Sequence, residues 1–403
     1  MTTSSETDPG RSVRLTIFLL WLAGVLAAGQ FAKVAVTFPL FREAYPGFGP
    51  TLGFLVSALS LMGLIFGLFS GMILSRLGFR RILLLALSFG GALSLLQASL
   101  PGFGLMLISR ALEGAAHLMI VVAAPTLIGQ IAPPSWRNTA MALWSTVFAV
   151  AFALFSWLGL PLAQSFGLPM LMILHGLLLW IMALILSRVL PIRPRTERLP
   201  PLTLREIIAK HVAAYSSPSI AAPAAGWLFY AMSFVAIVTV FPDFLPDAQR
   251  GVISGVMPLA ALSVSMTLGI SLLRHVSPVT VLITGFVLAA VLALCLSFGE
   301  SLGPARAWVA VAMLGALGLV QSGSFASIPM LNTTPEDQSL ANGALAQTGN
   351  AGNLIGTPLL LWLVDRFGMT GLIGFAVLVF CAGAMVHLWL MTLRKHGARR
   401  RRA

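Results

Sequence analysis

Twelve stretches of this chain are each long and apolar enough to cross a lipid bilayer, and few sequence features restrict a fold so tightly. They run approximately over residues 15–37, 51–75, 82–100, 105–130, 139–163, 169–187, 219–242, 252–273, 279–298, 307–330, 341–364 and 369–392. A helix of about 20 apolar residues spans the hydrocarbon core. A helix also satisfies its own backbone N–H and C=O groups, which lipid does not do for it. Short connections carrying Gly, Pro and charge separate the stretches, as in Pro101-Gly102-Phe103-Gly104, Pro133-Pro134-Ser135 and Asp365-Arg366-Phe367-Gly368. Only 9% of the residues are charged and 58% are hydrophobic. Soluble domains carry about 25% charged residues, so this chain has too little charge to cover a water-facing surface. Mean hydropathy is +0.94. A soluble enzyme, a disordered chain and a nucleic-acid binder are excluded, and an all-α membrane protein with twelve transmembrane helices is expected.

The formal net charge of +13 is distributed as a topology signal. One set of alternating loops collects Arg11, Arg14, Arg76, Arg80, Arg81, Arg137, Arg274 and the tail Arg399 to Arg402, while the other holds Arg42, Arg250, Arg306 and Arg366. The positive side is expected to be cytoplasmic, in an inner membrane, with both termini there. The one long connection carries Arg193, Arg195, Arg198, Arg205 and Lys210. It divides the chain into an N-terminal segment 1–14, a six-helix bundle 15–187, a linker 188–218, a second six-helix bundle 219–392 and a basic tail 393–403. Leu202 to Tyr215 fits a short amphipathic helix on the membrane surface or a solvated linker. The first apolar run is long enough to span and lacks a small-residue cleavage site after it, so a retained helix is expected. Cys295 and Cys381 lie inside apolar runs and offer no disulfide framework or thiolate metal site.

The two halves repeat. Pro125 and Asn138 are 13 residues apart, as are Pro329 and Asn342, and the same offset pairs Gly114 with Gly318 and His117 with Gln321. Gly71 and Arg76 match Gly269 and Arg274. Parallel repeats related about an axis along the membrane normal are a recurrent transporter plan.

These residues resemble the major facilitator superfamily. The family's loop between spans two and three reads approximately Gly-x-x-x-Asp-Arg-x-Gly and then a basic pair. Here Gly71, Ser75, Arg76, Gly78, Arg80 and Arg81 occupy that pattern, with Ser75 in the acidic place. Arg110-Ala111-Leu112-Glu113-Gly114 matches the family's span-four pattern of Arg and spaced glycine. The resemblance implies two pseudo-symmetric six-helix bundles, a central cavity open alternately to each side, and a gating role for the loop motif. Ser75 implies a weaker charged latch. Span five lacks the Gly-Pro run typical of drug/proton antiporters, having no glycine between Met141 and Gly159.

Ten spans contain no Asp, Glu, Lys or Arg; Lys33 in span one and Arg110 with Glu113 in span four are the exceptions. Such groups cost at least about 2.5–3.5 kcal/mol at the bilayer centre and normally face a wet cavity or a partner. Arg110, Glu113 and His117 share one helical face, and Lys33 lies within about a turn of the depth of Glu113. The expected coupling group is therefore Glu113 with Arg110, Lys33 and His117, binding a proton that moves when the cavity changes sides. A permanent Arg110–Glu113–Lys33 pairing is the structural alternative. His175 and His387 stand singly in apolar spans and read as packing or helix-contact residues.

Substrate contacts are expected from Gln30, Phe31 and Trp144 in the first half. In the second they are expected from Tyr230, Gln321, Gln347 and Asn350, with Trp227, Ser322, Ser324 and Asn353 nearby in sequence. Two cations and a histidine against one carboxylate favour an anionic or zwitterionic solute. No P-loop, dinucleotide motif or metal-ligand cluster stands out, so no cofactor and no metal are expected. The expectation is a monomeric secondary active transporter, no enzyme, whose partners are a small-molecule substrate, protons and the lipid bilayer. The rivals are an efflux pump of the same fold and a non-transporting membrane sensor.

Overall fold

The computed structural model describes residues 9–70, 78–191 and 203–400, and among them there is no strand. Gly71, Ser75 and Arg76 of the loop motif lie outside the described residues, as do most of the linker and the end of the basic tail. Among the described residues nine helical segments are long and apolar enough to cross a membrane: Val13–Ala35, Phe79–Ala98, Phe103–Ile131, Arg137–Val189, Pro218–Phe244, Asp247–Leu272, Pro278–Phe298, Ala305–Leu331 and Glu336–His396. Gly49–Ser57 and Ser60–Phe69 form a bent pair at 57°, which makes a tenth if taken as one span. The sequence reads that stretch as one straight helix; the structure breaks it.

Two of the segments, of 53 and 61 residues, would be roughly 80 and 90 Å long as straight helices at about 1.5 Å per residue. That is nearly three times the hydrocarbon thickness of about 30 Å. Each is interrupted once by a glycine outside helical geometry, Gly167 at φ 82° and Gly368 at φ 55°. Glycine takes a positive φ without a Cβ clash. The sequence expects an open four-residue turn at Asp365 to Gly368; the structure folds this connection into helix on both sides of Gly368.

Glycine also sets how closely the helices approach. A Cβ on Gly114 would stand 2.0 Å from the carbonyl oxygen of Leu59, and one on Gly318 would stand 2.2 Å from that of Ala261. The repeated pair therefore makes the same backbone contact in each half, the small-residue packing on which helices in lipid depend. Between the halves, Gly53 lies against Pro358, Gly63 against the Asn350 side chain, and Gly255 against Trp157.

On the side away from the linker the apolar core is continuous across the two halves. There one cluster runs from Phe31, Phe38 and Phe41 through to Tyr230, Phe234 and Phe241. On that side Arg42 Nη2 also meets Asp243 Oδ2 at 2.9 Å. On the linker side the apolar clusters are separate. Ile17, Leu83, Ile120 and Leu179 belong to one, while Ile220, Ala224, Ile328 and Leu345 belong to the other. The halves meet there where Leu68 packs against Gly343 and Gln347 Nε2 donates to the Leu64 carbonyl.

The linker's described part is a helix, Leu204–Ser216, started by a reciprocal cap. Thr203 Oγ1 accepts from the Glu206 N–H at 3.3 Å, and Glu206 Oε2 accepts from the Thr203 N–H at 3.0 Å. Tyr215 OH then donates to Gln347 Oε1 at 2.8 Å, fixing the helix to the second half. Of the described motif residues, Gly78 turns the chain into the Phe79–Ala98 helix at φ 79°. Arg80 donates to the carbonyls of Leu190 at 3.0 Å and Ser187 at 2.8 Å, at the end of Leu160–Val189. That end has unpaired carbonyls and the negative pole of the helix dipole, both of which a guanidinium satisfies. Arg81 is exposed.

Candidate functional site

Lys33 ends the Pro9–Ala35 helix, Arg110 and Glu113 lie one turn apart on Phe103–Ile131, and Ser94 and Gln97 lie one turn apart on Phe79–Ala98. The packing of these three helices brings the five side chains together. Lys33 Nζ donates to Glu113 Oε1 at 2.7 Å, to Gln97 Oε1 at 2.8 Å and to Ser94 Oγ at 3.0 Å. All three ammonium protons are thus used. Glu113 Oε2 accepts from Gln97 Nε2 at 2.8 Å and from Arg110 Nη1. Arg110 also donates Nε to the Leu55 carbonyl at 2.7 Å and Nη2 to the Gln30 carbonyl at 2.8 Å, which ties in the broken helix pair. Gln97 Nε2 further reaches Ser109 Oγ at 3.2 Å.

Lys33, Arg110 and Glu113 are all 0% exposed. Removing an ion from water costs several kcal/mol even after relaxation, and the cost is recovered only by good pairing with every remaining donor and acceptor filled. The second condition is met atom by atom: every nitrogen and oxygen of the three ionic side chains has a partner, and Arg110 uses three of its five N–H groups. The first is met only in part, because two cations face one carboxylate and leave a formal charge of +1.

The other expected coupling residue, His117, lies on the same helix face but does not reach the carboxylate. Its Nδ1 is 3.0 Å from the Ala27 carbonyl, and its ring meets Phe31 and Phe148 edge-on at 5.1 and 5.9 Å. His175 instead joins the cluster. Its Nδ1 is 3.1 Å from Ser94 Oγ and its Nε2 is 3.0 Å from the Leu26 carbonyl. As the sequence suggests, it is a helix-contact residue, and its contact runs to the ion cluster.

The expected substrate residues separate into groups. Gln30 is fully buried, with its side chain against Gly90 while its carbonyl serves Arg110. Phe31 belongs to the core cluster that joins the halves. Trp144 packs against Gly24. Tyr230 is stacked between Trp227 and Phe234, with ring centroids at 4.3 and 5.3 Å. Gln321 is half-buried. Gln347 and Asn350 lie in the seam between the halves: Gln347 Nε2 donates to the Leu64 carbonyl at 2.8 Å, and Asn350 covers Gly63. The structure does not bring these seven residues into one cluster.

Ser94, Gln97 and Ser109 escape the sequence analysis, because uncharged polar side chains are common in spans as helix–helix hydrogen bonders. The one available signal is the three-residue spacing of Ser94 and Gln97, which places both on one face.

The family model described as Major Facilitator Superfamily matches residues 20–334, more than three quarters of the chain. No curated protein matches it.

Proposed function

The chain belongs to the Major Facilitator Superfamily, and on that premise we propose that it carries a small organic anion or zwitterion across the inner membrane, coupled to protons, by alternating access. Members of the family are transporters, not enzymes, and this chain is a multi-pass secondary transporter. Counting each glycine-broken segment as two spans and the bent pair as one gives twelve. The matching contacts of Gly114 and Gly318 support two related halves. The basic linker and tail favour a cytoplasmic position for that side.

One observation carries the coupling role: the buried Lys33–Glu113–Arg110 cluster holds one positive charge more than it can neutralise. Here either the loss of one proton or the approach of one anionic group brings the cluster to balance. Either event changes the energy of the first half, and an alternating-access cycle needs such a bias between its two states.

The test is uptake into proteoliposomes under imposed pH gradients of either sign, which also fixes direction. Glu113→Gln is expected to abolish the pH dependence, and Lys33→Gln and Arg110→Gln are each expected to weaken anion transport. Full pH dependence in a folded Glu113→Gln protein overturns the coupling role.

A further inference from the structure

On its outer surface the first half carries a groove of about 480 Å³ between the Phe79–Ala98 and Leu160–Val189 helices. Leu84 and Ser88 line one wall, and Trp180, Ala183, Leu184 and Ser187 line the other. The helices run antiparallel here, as two contacts fix: Arg80 Nη2 to the Ser187 carbonyl at 2.8 Å, and Trp180 Nε1 to the Ser88 carbonyl at 2.9 Å. The groove therefore extends from the level of Arg80 to that of Ser88, about 12 Å at about 1.5 Å per residue. One leaflet of the hydrocarbon core is about 15 Å deep. Leu184 is 60% exposed and Trp180 42% exposed, so the groove opens sideways to the bilayer.

The charge at its linker-side end identifies the occupant. Arg81 stands three residues before Leu84, and Arg188 stands four after Leu184, so each sits one turn beyond a lining leucine on the same face. Both are exposed. Arg80 lies at the same level and caps the neighbouring helix end. Neither helix contains an Asp or Glu. Three guanidinium groups around the mouth of an apolar slot one leaflet deep match an anionic phosphate with an acyl chain below it.

We propose that this groove binds an anionic glycerophospholipid of the linker-side leaflet, the acyl chain lying along Trp180 and Ala183 and the phosphate held by Arg81 and Arg188. The site lies on the outside of the first half and is independent of the ion cluster. A lipid held there bridges two helices that both contribute to that cluster, through Ser94 and Gln97 on one and His175 on the other.

Purified full-length protein in micelles is titrated with phosphatidylglycerol or with phosphatidylcholine of the same chains, and thermal stabilisation is followed. Phosphatidylglycerol is expected to half-saturate at about a 30-fold lower concentration, from the usual worth of two basic side chains at an anionic surface. Arg81→Gln/Arg188→Gln should abolish that preference. Arg274→Gln, which removes an exposed linker-side cation elsewhere, should leave it intact. Leu84→Trp, which fills the groove and keeps the arginines, should raise the half-saturation concentration. Inorganic phosphate alone should not stabilise. Equal response to the two lipids overturns the proposal, as does an unchanged midpoint in Leu84→Trp. So does an Arg274→Gln loss equal to that of the double variant, or stabilisation by free phosphate that matches the lipid.

Discussion

The charge count of the buried cluster makes an unequal prediction for its members. Glu113→Gln leaves two cations and no anion, a formal charge of +2, whereas Lys33→Met leaves the neutral Arg110–Glu113 pair. The carboxamide keeps one acceptor oxygen, and its NH2 turns a donor either toward Lys33 Nζ or toward both Arg110 Nη1 and Gln97 Nε2. At least one buried cation then loses its partner, at a cost of about 3–5 kcal/mol. Methionine, in contrast, follows the path of the lysine stem and fills nearly the same volume, so the packing around it is kept. Gln97 Oε1 and Glu113 Oε1 each lose the bond they accept from Lys33, while the other ends of the groups it leaves behind keep their partners. Gln97 still donates to Glu113 at 2.8 Å, and Ser94 still bonds the Met172 carbonyl at 2.9 Å and His175 at 3.1 Å. Thermal unfolding in micelles should therefore rank Lys33→Met below wild type, by the lost acceptor bonds, and above Glu113→Gln, which leaves a buried charge unpaired. Rank order is the safe readout, because a chain of this size does not unfold in one step. If Lys33→Met unfolds at or below the temperature of Glu113→Gln, the excess charge is not real and the coupling argument loses its basis.

Gly114→Ala and Gly318→Ala should each destabilise by about 1–3 kcal/mol or more, since the new methyl meets backbone at 2.0 and 2.2 Å. Gly129→Ala, with nothing within 4 Å of the added carbon, should stabilise by up to about 1 kcal/mol, and unfolding midpoints of the three separate packing from helix propensity. Thr203→Ala removes one arm of the reciprocal cap and should weaken the linker helix by about 1 kcal/mol, read as faster amide exchange over 204–216 with unchanged exchange in the spans. Arg42→Gln breaks a far-side ion pair that is 49% and 21% exposed. It should cost under about 1 kcal/mol of stability and should raise the labelling rate of a cysteine placed in the far-side core relative to the same site in the unmodified background.

The spans were legible because lipid demands long apolar runs, and the ion cluster because charge inside such runs is expensive enough to need a reason. Lys33 and Glu113, 80 residues apart, meet at 2.7 Å as their depths suggest. The cluster's neutral members were not legible, since serine and glutamine cost little in a span and carry no sign of which helix they face. His117 shares a face with Glu113, yet a shared face does not fix which neighbour each turn meets, and one turn further along the helix His117 meets Ala27 and two phenylalanines. Gln347 and Asn350 look like binding groups because polar residues are dense there. They serve the seam between the halves, which no pattern along one helix encodes. The bend near Ser57 is equally hidden, because no proline stands at the break between Ser57 and Ser60 and the pair's Pro50 lies at its start.

The repeat itself distinguishes scaffold from function. At the offset that pairs Gly114 with Gly318, Arg110 corresponds to Leu314 and Glu113 to Leu317, and both leucines are 0% exposed. The second half therefore builds the same glycine contact with plain apolar packing where the first half buries an ion cluster. Packing needs the glycine and does not need the charges, so a structural strut is an insufficient reason for them. Replacing the whole cluster tests this directly. Lys33→Met/Arg110→Leu/Glu113→Leu removes every buried charge at once, and such replacements are often neutral or stabilising by about 1–4 kcal/mol. The triple variant should fold, unfold at or near the wild-type temperature, and lose pH-driven uptake. A triple variant that collapses while Glu113→Gln stays folded would return the cluster to a structural role, and one that keeps pH-driven uptake would move the proton elsewhere in the molecule.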